Sequence, residues 1–372
     1  MIHFAIGSKA QLIKTAPVMR RLTQRGVPYR YIDLGQHART TARLRPVLQL
    51  QEPDVRLHAS TAGNVASLVH AGRWVGSILL RSLRSGREIF NQVFDRRPGI
   101  CVIHGDAFSA LLGLLLAKRA GLKVFHLESG LVSRQLREPF PEELVRLLCM
   151  RHADHLAAPT EWAYRNLLAM GYGPKSFSTG GNTGADAVAD LLMDRPPPAA
   201  ADPFVLVAIH RFETLVSRTR LGTLVSFIED LAARMQIHFV LHEPTERRLR
   251  QRGWLTRLHE KGVRLTPGAD YPDFLTLLRT AAFVVADGGS VQEECSYLGT
   301  PCLVFRRRTE RVEGLGENVC LSRLDPARLA AFARDYARFR RPPSILERRP
   351  SDIVADFLVR TGSTAAATSG EQ

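Results

Sequence analysis

Residues 99–130 read GICVIHGDAFSALLGLLLAKRAGLKVFHLESG. GICVIHG (99–105) is an apolar run of strand length, residues 107–120 form an apolar stretch of helix length closed by Lys118 and Arg119, and KVFHLE (123–128) is a second apolar strand. Strand, helix and strand in about thirty residues make a βαβ unit with parallel strands. The same alternation continues on both sides. IHFAI (2–6) and YRYIDL (29–34) read as strands, with a helical pattern of Leu12, Ile13, Ala16, Val18, Met19 and Leu22 between them. A long amphipathic stretch covers 64–95; helices are predicted at 141–151 and 160–170, and a strand at 155–159. RPPPAAAD (195–202) is Pro-rich and of low complexity, and reads as an interdomain linker. The alternation then restarts, with strands at 204–209, 238–242, 282–287 and 301–305 and helices at 219–235, 272–281, 290–298, 326–339 and 351–361. Near-continuous apolar strands alternating with helices predict an α/β protein whose parallel sheets are covered on both faces. The expectation is two doubly wound domains around a cleft, residues 1–195 and 203–349. A last helix at about 350–362 would pack back on the first domain, ahead of a small, polar, disordered tail at 363–372.

The chain has 372 residues, 45% apolar and 23% charged, which is an ordinary globular composition. No apolar run reaches the ~18 residues of a membrane span. The opening MIHFAIGSKAQ lacks a basic stretch followed by a long apolar one, so no signal peptide is expected. Cys101, Cys149, Cys295, Cys302 and Cys320 form no C-x-x-C pair, which argues against a zinc ribbon or a disulfide framework. A cytoplasmic location fits. Lys and Arg number 51 against 36 Asp and Glu, a net charge of +15, and six of the basic residues are Lys. Arginine suits bidentate binding of phosphate and carboxylate. Such a charge raises the question of a nucleic-acid or membrane-surface partner. The bases are spread along the chain, however, with no long basic run and no RNA motif interleaved with aromatics. Neither partner is expected, and an enzyme for phosphorylated or nucleotide-linked substrates is the simpler reading.

Open parallel sheets bind ligands beyond the carboxyl ends of their strands. Four predicted strand ends carry polar residues: His104-Gly105-Asp106, Glu128-Ser129-Gly130, His210-Arg211-Phe212-Glu213, and DGGSVQEE (287–294). In the last, Gly288, Gly289 and Ser290 open a helix, where backbone N–H groups suit an anion; a plain tight turn fits as well. Asp106 and Glu128 lie on successive strands and suit proton transfer in a shared pocket. Taken by itself, Asp106 fits somewhat better as the N-cap of the next helix. His210 suits a general acid or phosphate ligand, and also an ordinary histidine. Glu142 and Glu143 complement the dipole of the helix they open. The run RRRTER (306–311) reads as a phosphate clamp or as a solvated loop. No G-x-G-x-x-G follows a predicted strand, so no nicotinamide cofactor is expected, nor is a metal.

In combination, HGD (104–106), HLESGL (126–131), PEE (141–143) with Arg146, HRFE (210–213), DGGSVQEE (287–294) and TER (309–311) resemble the UDP-N-acetylglucosamine 2-epimerase family. IKTAP (13–17), GQH (35–37) and GNT (181–183) agree, so the resemblance spans nearly the whole chain. It implies the GT-B architecture of two Rossmann-like domains, a UDP-sugar in the cleft, a homodimer and no cofactor. It further implies inversion at C2 of the sugar by loss of UDP to a 2-acetamidoglucal and re-addition. By the same resemblance, Asp106, Glu128 and Glu142 are the catalytic carboxylates, and His210 is the catalytic histidine near the departing diphosphate. Lys9, Lys14, Arg146 and Arg211 bind substrate; Gly288, Gly289, Ser290 and Arg311 contact the diphosphate; Glu294 accepts from the ribose, and Phe274 lies near the uracil. Gln36, His37 and His242 belong to an allosteric substrate site.

The chain also departs from the family. Gly7-Ser8-Lys9-Ala10-Gln11 stands for Gly-Thr-Arg-Pro-Glu, and its Gln resembles the branch acting on diacetamido-uronic-acid UDP-sugars. Val132 replaces an Arg, Gly288 a Ser and Ala269 a Gln. The expected function is a UDP-N-acetylglucosamine 2-epimerase supplying surface polysaccharide synthesis. The alternatives are a hydrolysing 2-epimerase, an epimerase for a modified UDP-sugar, a GT-B glycosyltransferase and a non-catalytic anion binder.

Overall fold

A computed structural model describes residues 1–58, 68–133, 142–192, 202–344 and 346–367. The chain forms two compact units, Met1–Ala187 with Leu346–Gln372, and Val188–Ile345. Among the described residues, the first unit holds strands β1 (Ile2–Ile6), β2 (Tyr29–Asp33), β3 (Val55–Arg56), β4 (Ile100–His104), β5 (Lys123–Leu127), β6 (His155–Ala158) and β7 (Ser176–Ser178). They pair in the order β3-β2-β1-β4-β5-β6-β7, every pair parallel. The second unit holds β8 (Phe204–Ile209), β9 (Gln236–Leu241), β10 (Arg264–Pro267), β11 (Phe283–Ala286), β12 (Cys302–Val304) and β13 (Val319–Leu321). Their order is β10-β9-β8-β11-β12-β13, again all parallel.

Both sheets are therefore doubly wound. In each, the strand order reverses beside the first strand, between β1 and β4 and between β8 and β11. Such a switch point opens a crevice at the strands' carboxyl ends. The central strands β1, β4 and β8 are buried along their whole length, because helices cover both faces of a parallel sheet. Trp74 is fully packed into the first core, and its indole N–H donates to the Leu34 carbonyl at 2.7 Å. Leu224, Ile228, Phe239 and Phe283 centre the second core.

The final helix, Pro350–Ala367, belongs to the first unit and packs on the helix Lys9–Gln24. Phe357 stacks on Phe125 and Phe177 with centroids 5.0 and 4.7 Å apart. The Ser351 N–H donates to the Asp186 carboxylate at 2.7 Å, and Arg25 pairs with Asp352 and Asp356.

Several elements differ from the sequence reading. The final helix continues through Ser363–Ala367, where disorder was expected, because the run of alanines after Gly362 favours helix strongly. The stretch 64–95 is two helices, Leu68–Ser82 and Gly86–Gln92; they part at Ser85, whose hydroxyl caps the second by accepting from the Glu88 N–H at 3.2 Å. Residues 195–201 of the linker, residues 59–67, and the tail beyond Ala367 lie outside the described residues. Strands β3, β7, β10 and β13 and the helices Ala38–Val47, Thr183–Leu192, Glu243–Gln251 and Trp254–Glu260 were not expected. These strands have two to four residues and are mostly half-buried or exposed, so they carry little apolar pattern. No helix among the described residues is long and apolar enough to cross a membrane.

Candidate active site

In the first unit, Glu128 follows β5 with φ 62°, in the left-handed region. That conformation costs a non-glycine residue ~1–2 kcal/mol and marks a constrained position. The turn continues through Gly130 (φ 85°), where a Cβ would meet the Ala163 carbonyl oxygen at 2.2 Å. The Glu128 carboxylate is buried; its Oε2 accepts from Lys14 Nζ and Asn182 Nδ2, and His104 Nε2 stands 3.8 Å away. The cation and the amide stabilise the carboxylate form. A small cavity lined by His104, Glu128, Thr179, Gly181, Asn182 and Thr183 adjoins it.

Asp106 lies two residues beyond β4, the strand paired with β5. It is not the N-cap of Phe108–Arg119; that position is Ala107, which makes no side-chain cap. Its carboxylate pairs instead with Arg146 Nη2. Arg146 is fully buried and also holds Glu143, Nη1 to Oε2 at 2.9 Å. Glu143 in turn accepts from the Ser133 N–H at 3.0 and 3.1 Å. A residue read as a dipole complement is thus the buried anchor of Arg146. Glu142, half-buried, opens the same helix, Glu142–His152.

Two side chains tie these strand ends together. The buried His126 ring hydrogen-bonds the Gly105 carbonyl at 2.8 Å and the Ser129 hydroxyl at 2.9 Å, and desolvation lowers its pKa to about 4, so it is neutral. Gln11 spans the switch point. Its Oε1 accepts from the N–H groups of Gly7 (3.0 Å) and Ser8 (3.1 Å) and from the Ser109 hydroxyl (2.7 Å), while its Nε2 donates to the His104 carbonyl at 2.7 Å. A carboxylate in its place could not make that last bond. Nearby, the Lys9 N–H donates to His37 Nδ1 at 3.2 Å, and Gln36 Oε1 accepts from the Ser109 N–H at 3.3 Å. Desolvation, then the Lys9 charge, lowers His37 to about 4.

In the second unit the fully buried Asp287 clasps the end of β8, accepting from the N–H groups of His210 (3.0 Å) and Arg211 (3.1 Å). His210 is partly exposed, with Nδ1 3.8 Å from Asp287 and its ring edge-on to His242 at 5.1 Å. A Cβ on Gly288 would meet His210 Cε1 at 2.5 Å, so the glycine lets the ring lie against the turn. Gly288 is the N-cap of the helix Gly289–Leu298, whose first N–H groups suit an anion. Ser290, half-buried, stands in its first turn. Arg311 is buried behind this turn: a Cβ on Gly289 would lie 3.0 Å from its Nε, and its Nη1 lies 3.0 Å from Glu293 Oε2. Gln292 pins the loop by donating to the carbonyls of Arg311 and Glu313, at 3.2 Å each.

The RRRTER run divides between its two readings. Arg306 pairs inward with Glu310 at 2.9 Å, and Arg211 stands 3.5 Å from Glu310, while Arg307 and Arg308 are exposed. Glu294 Oε1 accepts from the buried Tyr271 hydroxyl at 2.8 Å. Burial and the Glu294 charge raise Tyr271 well above its ordinary value, so it stays a donor. Phe274 is half-buried on the same helix, Tyr271–Thr280.

The structure thus gathers Lys14, Asp106, Glu128 and Arg146 in one unit and Arg211, His210, Gly288, Gly289 and Arg311 in the other. His104, Asn182, Tyr271, Asp287 and Glu293 also stand in these clusters and were not singled out as site residues. His104, Asn182, Asp287 and Glu293 sit inside motifs already quoted; Tyr271 had no local signal.

Two doubly wound sheets, with carboxylates at one switch point and an arginine-backed helix start at the other, define a protein of the GT-B class. The chain belongs to the UDP-N-acetylglucosamine 2-epimerase family, whose model matches residues 20–340. It is 28% identical to the UDP-N-acetylglucosamine 2-epimerase of Methanocaldococcus jannaschii, over 84% of this chain and 85% of that one. It is also 28% identical to the UDP-2,3-diacetamido-2,3-dideoxy-D-glucuronate 2-epimerase of Pseudomonas aeruginosa, over 83% and 84%. The crystal structure of the M. jannaschii enzyme in complex with UDP-GlcNAc and UDP superposes with a TM-score of 0.83 and 26% identity, covering 96% of this chain and 99% of that one.

Proposed function

We propose that the protein is a non-hydrolysing UDP-N-acetylglucosamine 2-epimerase, a cytoplasmic homodimer that interconverts UDP-GlcNAc and UDP-ManNAc for surface polysaccharide synthesis. The observation that carries the reading is the pair Asp106 and Glu128, at the ends of adjacent strands and held by separate cations, Arg146 and Lys14. A carboxylate base takes the C2 proton, and the C1–O bond to UDP breaks. The electron pair of the C2–H bond becomes the C1=C2 bond of a 2-acetamidoglucal, and UDP leaves with the electrons of the broken bond. In the return step a proton is delivered to the opposite face of C2 and a UDP oxygen re-forms the bond to C1. This C2–H has no adjacent carbonyl and is weakly acidic, so a rigidly held base is required. Two acids in different surroundings can divide the roles of acceptor and donor. Negative charge developing on the diphosphate would be met by the N–H groups from Gly289 onward, by Arg311 and by a protonated His210.

Gln11 favours a second reading, a 2-epimerase for an anionic diacetamido-uronic acid UDP-sugar. A neutral amide beside His104 repels a sugar carboxylate less than the family's Glu would. The experiment is proton NMR in D2O with UDP-GlcNAc and, separately, the uronate. Deuterium at C2 with a UDP-manno anomeric signal supports the first reading. Exchange on the uronate alone favours the second, and free N-acetylmannosamine with UDP overturns the non-hydrolysing assignment.

A further inference from the structure

We infer that Asn182 is a positioning residue for Glu128, fixing the orientation of its carboxylate. The inference rests on the reading of Glu128 as an acid–base group. Asn182 is buried, 3% exposed, and immediately precedes the helix Thr183–Leu192. Its Oδ1 accepts from the Gly184 N–H at 3.0 Å, so the amide has one orientation and its Nδ2 end must face the carboxylate. Nδ2 donates to Glu128 Oε2, the same oxygen that takes Lys14 Nζ. Gly184 packs against both donors: the position of a Cβ there lies 3.4 Å from Lys14 Cε and from Asn182 Oδ1. Two donors therefore meet on Oε2.

Oε1 lies 3.7 Å from where a Cβ on Gly105 would stand, at the end of the neighbouring strand. Lys14 alone would not fix the carboxylate plane, because an ammonium on a flexible four-carbon stem has three rotatable donors. The amide, tethered at both ends, does. Its loss should leave the Lys14 pair in place and free the carboxylate to turn.

The test reads Glu128 directly. The protein is labelled with 13C at the glutamate carboxyls, the Glu128 signal is assigned by its loss in Glu128→Gln, and its titration is followed in wild type, Asn182→Ala and Asn182→Asp. Asn182→Ala should raise the midpoint by about one unit through loss of a hydrogen bond to the charged form, and Asn182→Asp by more through like charge. In Asn182→Ala, turnover in C2 deuterium exchange should fall about 10- to 100-fold with KM little changed, and the acid limb of the pH profile should move with the titration. An unmoved Glu128 titration in a variant that melts like wild type overturns the inference, as does a drop in KM and kcat together at an unshifted profile. If Asn182→Ala does not fold, the isosteric Asn182→Asp decides by the same titration. A wild-type protein that exchanges no C2 proton on either UDP-sugar sinks the reaction reading but not the contact, which the titration judges alone.

Discussion

Arg146→Met should cost the first unit stability. The substitution removes the cation that Asp106 and Glu143 share. Arg146 is 1% and Glu143 2% exposed, so water does not repair the loss. Removing one partner of a buried ion pair costs about 3–5 kcal/mol. Glu143 keeps the Ser133 N–H, which offsets about 1 kcal/mol, and the more exposed Asp106 adds little. The expected loss is about 3 kcal/mol at pH 7.5, or roughly 6–12 °C in melting temperature for a unit of this size. Urea unfolding at pH 7.5, followed through Trp74 and Trp162 of this unit, measures it. Arg146→Met/Glu143→Gln should regain most of the loss. A deficit under about 1 kcal/mol at pH 7.5, or a double variant no more stable than Arg146→Met, would refute the buried-pair reasoning.

Other predictions concern both units. Glu128→Gln should lower turnover by about 100-fold or more, while calorimetry finds UDP still bound; wild-type rates would sink the base assignment. Arg311→Ala should weaken UDP binding about 10- to 100-fold, and unchanged affinity would remove Arg311 from the diphosphate. His3 and His126 are buried and each is lowered to about 4. Both take up a proton more readily unfolded, so stability falls as pH drops from about 6.5 toward 4, by ~2 kcal/mol each at pH 5; a stability flat across that window, measured by urea titration, would contradict their burial. Gly130→Ala combines a positive φ with a clash on the Ala163 carbonyl and should cost about 3 kcal/mol or prevent folding. A melting point within a degree of wild type would disprove that contact.

The sequence made the architecture legible where strands are buried on both faces. FVLVAI and ICVIH announce themselves because a parallel sheet demands apolar residues at every position. The edges stayed silent: SFS at β7 and RLTP at β10 pack too little surface to need a pattern. The helix EPTERRLRQ buries only Thr245 and Leu249, and its polar face hid it. At the site, residue types at strand ends pointed to Asp106, Glu128 and His210. Their partners did not show, because the contacts are long-range: Glu128 meets Lys14 and Asn182 from 114 and 54 residues away. Nor did the sequence show that Asp106 is not a cap: its carboxylate is taken by Arg146, which reaches it from a later helix.

The first unit is closed by the last helix of the chain, which gives its assembly an order in time. The ribosome finishes residue 187 long before residue 367, and at 5–20 residues per second the interval is roughly 10–40 s. Throughout it the second unit can complete its own sheet, since all its strands lie between. The first unit waits with the Phe125 and Phe177 rings uncovered until Phe357 arrives to cap them. A chain stopped short of Pro350 would therefore carry a sticky wound on the half that was made first, and the unit that holds Asp106 and Glu128 would be the last to be completed.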